Sequence, residues 1–110
     1  MGGNAYLGEF EQLVLAAVLR LGDEAYGASI IKEIREETGR RVPSGSLSIT
    51  LDRLEHKGLL RSKMGKPEPN RGGRPKRFVS VTTKGFQAVK ETRSALMSLW
   101  HGLEARFEDR

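Results

Sequence analysis

The residues best suited to chemistry in this chain are seven cations crowded into one short stretch: Arg61, Lys63, Lys66, Arg71, Arg74, Lys76 and Arg77. Only Glu68 opposes them there, so the stretch is net +6 and the other 93 residues of the 110 together sum to −1. A charge run is often no more than a solvated face. One sign of charge gathered in a single segment of an otherwise balanced chain favours instead a polyanion-binding element, with guanidinium and ammonium groups set to meet phosphate. Catalytic readings find little support. There is no cysteine, which removes thiolate nucleophiles, thiolate metal sites and disulfides. His56 and His101 lack the His-Glu-x-x-His spacing of a zinc site, and no other ligands cluster by spacing. Gly72-Gly73 is not a phosphate loop, because no Gly-Lys-Ser/Thr follows. The expectation is a protein that is not an enzyme, with no cofactor and no metal.

The cations need elements to carry them. Phe10, Leu13, Val14, Ala17, Val18 and Leu21 form one apolar stripe at helical spacing, predicting a helix from Gly8 to Leu21 stopped by Gly22. After a connection over Asp23 to Tyr26, Ile30, Ile31 and Ile34 give a second helix, capped by Gly39. Ser44 or Ser46 can cap a third, in which Leu47, Leu51 and Leu54 face inward while Ser46, Ser48, Ile49, Asp52, Arg53 and His56 face away. Gly58 ends it, and the short joint between the second and third helices reads as a helix-turn-helix. Leu59 to Lys63 and Arg77 to Thr82 read as strands of a hairpin. Between them Pro67, Pro69, Gly72, Gly73 and Pro75 punctuate a long loop, so the basic cluster falls on an exposed β-ribbon.

From Thr83 to Phe107 there is no proline, and Phe86, Val89, Arg93, Leu96, Trp100, Leu103 and Phe107 recur in steps of three and four. A continuous helix of that length is a rod of roughly 37 Å, longer than a small three-helix core can cover. Its apolar seam predicts a partner helix from a second copy, a homodimer. The alternative is a terminal helix folded back on its own core. The chain then divides into a domain over 1–82 and a dimerisation helix over 83–110, without repeats or a separable linker. No apolar run approaches the ~20 residues of a membrane span. Met1-Gly2-Gly3-Asn4 lacks the basic and apolar regions of a signal peptide. With the absence of cysteine, this points to a cytoplasmic setting and no membrane partner.

Helix, helix, helix, strand, basic loop, strand, long helix is the layout of a winged helix-turn-helix: mainly α with a small β-hairpin, α-α-α-β-β, followed by a long C-terminal dimerisation helix. The residues filling it resemble the PadR family of bacterial transcriptional regulators. The similarity runs through Leu7-Gly8-Glu9-Phe10-Glu11-Gln12-Leu13-Val14-Leu15, Ala25-Tyr26-Gly27-Ala28-Ser29-Ile30 and Ser44-Gly45-Ser46-Leu47. It continues in Leu51-Asp52-Arg53-Leu54-Glu55-His56-Lys57-Gly58-Leu59-Leu60, Gly72-Gly73-Arg74-Pro75-Lys76-Arg77-Phe78 and Val81-Thr82-Thr83-Lys84-Gly85. Each piece is weak alone; the ordered set is specific. One departure is Ser48, where the family usually has a tyrosine near the DNA.

The resemblance implies double-stranded DNA as partner, bound by a homodimer at an inverted repeat, with repression as the family's usual outcome. Candidate contacts from the third helix are Ser44, Ser46, Ser48, Ile49 and Arg53, and from the wing Lys66, Arg71, Arg74, Lys76 and Arg77. Ser46 can instead be a helix cap, and Ile49 can pack on the second helix. The dimer seam is Phe86, Val89, Leu96, Trp100, Leu103 and Phe107. In some members with one C-terminal helix a tryptophan lines a pocket for planar aromatic compounds, which makes Leu96, Met97, Trp100 and Leu103 a candidate effector pocket; plain packing is the other reading. A different class of function remains open: a winged-helix interaction module whose basic wing holds an acidic partner.

Overall fold

Three helices build the core, and the first is set by its ends. The structure, a computed structural model, describes residues 7–108, so the Met1-Gly2-Gly3-Asn4 stretch read above lies outside it. Helix α1 spans Glu9–Leu21 and stops at Gly22. The Gly8 amide donates to Glu11 Oε1 at 3.0 Å, which satisfies one of the donors a helix start leaves open. Helix α2 spans Gly27–Thr38, and Ser29 Oγ accepts from the Tyr26 amide at 2.9 Å in the same manner. Gly39 closes α2 in the left-handed region (φ 76°), a conformation side chains with a Cβ avoid. Arg20 of α1 pairs with Glu33 and Glu37 of α2, pinning the two helices across their exposed edge.

Helix α3 spans Ser44–His56. Its cap is Pro43, in extended conformation, and the serines accept no capping bond; the expected serine cap is therefore corrected. Proline holds the φ that lets a helix begin at the next residue, and the Pro43 carbonyl accepts the first helical bond from the Leu47 amide at 3.1 Å. At the far end the Gly58 amide donates to the Glu55 carbonyl and the Leu59 amide to the Leu54 carbonyl, each at 2.9 Å, the bond pair that terminates a helix through glycine.

That turn uses Leu59, so strand β1 begins one residue later than the sequence predicts, at Leu60–Met64. Strand β2 spans Arg77–Val81 and pairs with it antiparallel, Leu60 opposite Val81 and Met64 opposite Arg77. Thr82 leaves the strand to cap helix α4, Thr83–Trp100, accepting from the Gly85 amide at 3.0 Å. The Val79 amide donates to the Ala25 carbonyl at 2.9 Å, tying the ribbon's second edge to the segment before α2. Val14, Leu15, Val18, Ile30, Ile34, Leu47, Leu51, Leu54, Leu60 and Val79 are buried together where α1, α2, α3 and the ribbon meet.

The last helix differs from its expectation. The single rod from Thr83 to Phe107 does not form: α4 ends at Trp100, and a short helix α5 follows at Glu104–Glu108. Gly102, at φ 84°, supplies the break. Its amide donates to Glu104 Oε1 and the Leu103 amide to the Trp100 carbonyl, closing a tight turn. The apolar periodicity outweighed this glycine in the sequence. Even so, α4 projects. The Cα radius of gyration is 15.9 Å, against about 13 Å for a compact domain of this length.

Candidate nucleic-acid interface

The outward face of α3 forms as its spacing predicts. Leu47, Thr50, Leu51 and Leu54 are buried, and Ser44, Ser46, Ser48, Ile49, Asp52, Arg53 and His56 are exposed. Ser46 is the third residue of the helix and caps nothing. Ile49 is 60% exposed, so it does not pack on α2, and that reading is corrected. A branched apolar side chain standing in water beside hydroxyls and Arg53 offers what a base edge with a thymine methyl would accept.

The ribbon stands against one flank of this face. Side chains alternate along its strands. Arg61, Lys63, Phe78 and Ser80 share one face; Ser62, Met64, Arg77 and Val79 share the other. On the second face Arg77 reaches α3, with Nη1 donating to Asp52 Oδ1 at 2.9 Å and Nη2 to Glu55 Oε1 at 2.7 Å. Ser62 Oγ donates to the same Glu55 carboxylate at 2.9 Å. Hydrogen bonds from Arg77, then from Ser62, hold the Glu55 carboxyl below its ordinary value of 4.5. Burial alone would lower the Arg77 pKa, but the two carboxylates outweigh it and raise it.

Lys76 turns to the opposite face. Its ammonium lies 4.4 Å from the centre of the Tyr26 ring and 3.6 Å from Glu68 Oε2, and Tyr26 packs edge-on against Phe78 with ring centres 5.6 Å apart. Two of the five cations read as wing contacts, Lys76 and Arg77, thus have partners within the chain. Lys66, Arg71 and Arg74 are exposed and have no carboxylate partner among the described residues. The tip that carries them is organised. The Glu68 carbonyl accepts from the Arg71 and Gly73 amides at 3.0 Å, and Gly72 and Gly73 sit at φ 66° and 82°.

A helix with its polar face open beside a cationic ribbon is the arrangement of a winged-helix DNA reader. The sequence profile of the PadR-like transcriptional regulator family matches residues 14–91. The chain belongs to the PadR-like family of transcriptional regulators. It is a DNA-binding regulator by that membership, and the expected fold stands. A search of curated protein sequences returned no match. Among solved structures, a PadR family regulator from Eggerthella lenta superposes with TM-score 0.69 at 24% identity, over 92% of this chain and 83% of that one. A PadR-like transcription factor from Bacteroides fragilis gives TM-score 0.69 at 25% identity, over 87% of each chain. The winged-helix DNA-binding protein F93 from STIV shares the fold at 16% identity, TM-score 0.70, over 89% of this chain and 98% of that one.

On α4 of this PadR-like regulator, Gly85 and Thr92 are buried against its own core with Ala88 and Val89 beside them. Part of the helix is therefore folded back, as the alternative reading had it. The rest is open. Phe86, Met97 and Trp100 are 47%, 42% and 49% exposed, and Leu96 and Leu103 are half-buried. Phe107, expected on the same straight seam, lies beyond the Gly102 turn on α5 and is exposed; that continuity is corrected. Leu99, at 78% the most open large apolar side chain among the described residues, was not in the seam. Sequence reasoning left the exposed cations Arg61, Lys63 and, before α3, Arg41 without individual assignments. It missed Asp52 and Glu55 as anchors of the ribbon. Their signal was an acidic pair three apart on one flank of a helix, facing a cationic strand.

Proposed function

We propose that this PadR-like regulator represses transcription as a homodimer bound to an inverted-repeat operator. The observation that carries this reading is the pairing of an open α3 face with free cations at the wing tip, Lys66, Arg71 and Arg74, on a ribbon anchored to the same helix. Helix α3 enters the major groove, where Ser46, Ile49 and Arg53 meet base edges and Ser44 and Ser48 lie near the backbone. The wing tip meets phosphates or the minor groove beside it. The open apolar residues of α4 support dimerisation, since a helix leaving Phe86, Met97, Leu99 and Trp100 in water gains most by burying them on a second copy. Two α3 helices then address one DNA face about 34 Å apart, one helical turn. Binding there blocks polymerase without further contacts. Leu96, Met97, Trp100 and Leu103 form a patch suited to a planar aromatic effector that shifts the angle between protomers.

Selection from a random DNA pool, followed by footprinting, tests the reading. The expected result is a discrete inverted repeat with half-sites one turn apart. Enrichment of no sequence would overturn it.

A further inference from the structure

Arg77 was expected to touch DNA; its surroundings argue for a different task. It stands at the last rung of the ribbon, opposite Met64, and residues 65–76 form the loop beyond it. The inner end of the ribbon is held by Leu60 and Val79 in the core. At the outermost rung Arg77 reaches α3 through Asp52 and Glu55, and at the middle rung, opposite Val79, Ser62 donates to the same Glu55. Both strands thus bond to one carboxylate, and Arg77 does so at the point where the loop departs. With Asp52 and Glu55 the Arg77 triad has a formal charge of −1, so as a unit it does not attract phosphate. The Arg77 side chain is 29% exposed, and its guanidinium spends both prongs on carboxylates. Partly exposed ion pairs add little to stability, but a forked guanidinium between two carboxylates fixes geometry as a point charge cannot.

We propose that Arg77 is a positioning residue for DNA binding: it clasps Asp52 and Glu55 so that the wing tip keeps a fixed attitude to α3, and it makes no phosphate contact of its own. The proposal rests on the DNA-binding reading above and deepens it.

The test compares wild type, Arg77→Gln, Arg77→Lys and Arg74→Gln across a salt series on the selected operator, with Arg77→Gln repeated in an Asp52→Asn/Glu55→Gln background. Arg74→Gln removes a phosphate contact and should lower the slope of log affinity against log salt by about 0.9 per contact. Arg77→Gln should keep the wild-type slope, weaken operator binding by about tenfold, and lose most of that effect once the carboxylates are neutral. Arg77→Lys, which keeps the charge without the fork, should resemble Arg77→Gln. A slope drop matching Arg74→Gln, an equal penalty in the neutral background, or full rescue by lysine overturns the proposal.

Hydrogen exchange on the DNA-free protein supplies a second arm. The Gly65 amide, which donates to the Lys76 carbonyl at 2.7 Å, should exchange about tenfold faster in Arg77→Gln while amides of α1 stay protected. Unchanged exchange at Gly65 also overturns the clasp. Loss of protection throughout α1 would mark Arg77 as a folding residue and overturn it too. If wild type binds no DNA, the DNA-binding reading falls, and the exchange result still decides the clasp.

Discussion

Glu11 illustrates how one side chain can join distant parts of this fold. It is nearly buried, its Oε1 accepting from the Gly8 amide and its Oε2 lying 2.8 Å from the Lys57 ammonium at the end of α3. Burial alone would raise its pKa. The Lys57 hydrogen bond, the Gly8 amide and the charges of Lys57 and Arg53 outweigh that and bring it below the ordinary 4.5. The unfolded chain therefore binds this proton more tightly than the folded one. The stabilisation is complete above about pH 5.5 and is lost as pH falls through the folded value. Glu11→Gln should cost about 1–3 kcal/mol at pH 7, since it breaks a largely buried charge-assisted bond and leaves Lys57 unpaired. Urea denaturation at pH 7 and pH 4 would check it, with the gap between variant and wild type narrowing at the lower pH. This residue was legible in the sequence only as part of a family-like N-terminal stretch. Its partner, 46 positions away, was not, because side-chain pairing over that distance depends on how helices cross.

At the scale of elements, the junction between α3, the ribbon and α4 has the closest backbone approach found at any described glycine. A Cβ on Gly85 would lie 2.2 Å from the Leu59 carbonyl oxygen and 2.9 Å from Val81 Cγ1. Around it Thr82 Oγ1 donates to the Gly58 carbonyl at 2.7 Å, and Lys84 Nζ donates to the Lys57 carbonyl at 3.0 Å. Helix α4 is thus bolted at its first turn to the end of α3, with bare backbone against backbone. Gly85→Ala must push α4 off this seat and should destabilise the fold by about 3 kcal/mol, read as a lower midpoint in thermal or urea unfolding. An unchanged midpoint would mean that α4 docks elsewhere. The junction also gives α4 a defined direction relative to α3, which a dimer needs if two recognition helices are to meet one duplex.

Over the whole molecule, the open apolar residues of α4 are what a second copy would cover. Phe86→Glu and Trp100→Glu each place a charge where the proposed interface closes. Either should shift the protein from dimer to monomer in light scattering at micromolar concentration and weaken operator binding through loss of the second half-site. Retention of the dimer mass by both variants would remove α4 from the interface. Trp100 is the chain's single tryptophan. Its fluorescence should be quenched by planar aromatic compounds if the patch around it takes an effector, and no response across a panel would leave packing as its role.

Periodicity and punctuation determined the order of elements as far as α4, most of the buried face of α1, α2 and α3, the hairpin and the location of the cationic loop. These follow from local rules: an apolar stripe must face a core, and glycine or proline must stop it. The resemblance in ordered motifs added the family. Tertiary structure decided the rest. It took Arg77 and Lys76 from the pool of free cations, because only the packing of the ribbon brings them against a helix flank and a tyrosine ring. It left Ile49 in water. It also divided the final helix at Gly102, where one backbone angle overrode a repeat seven residues long. A pattern states which side chains want company; only packing assigns the company.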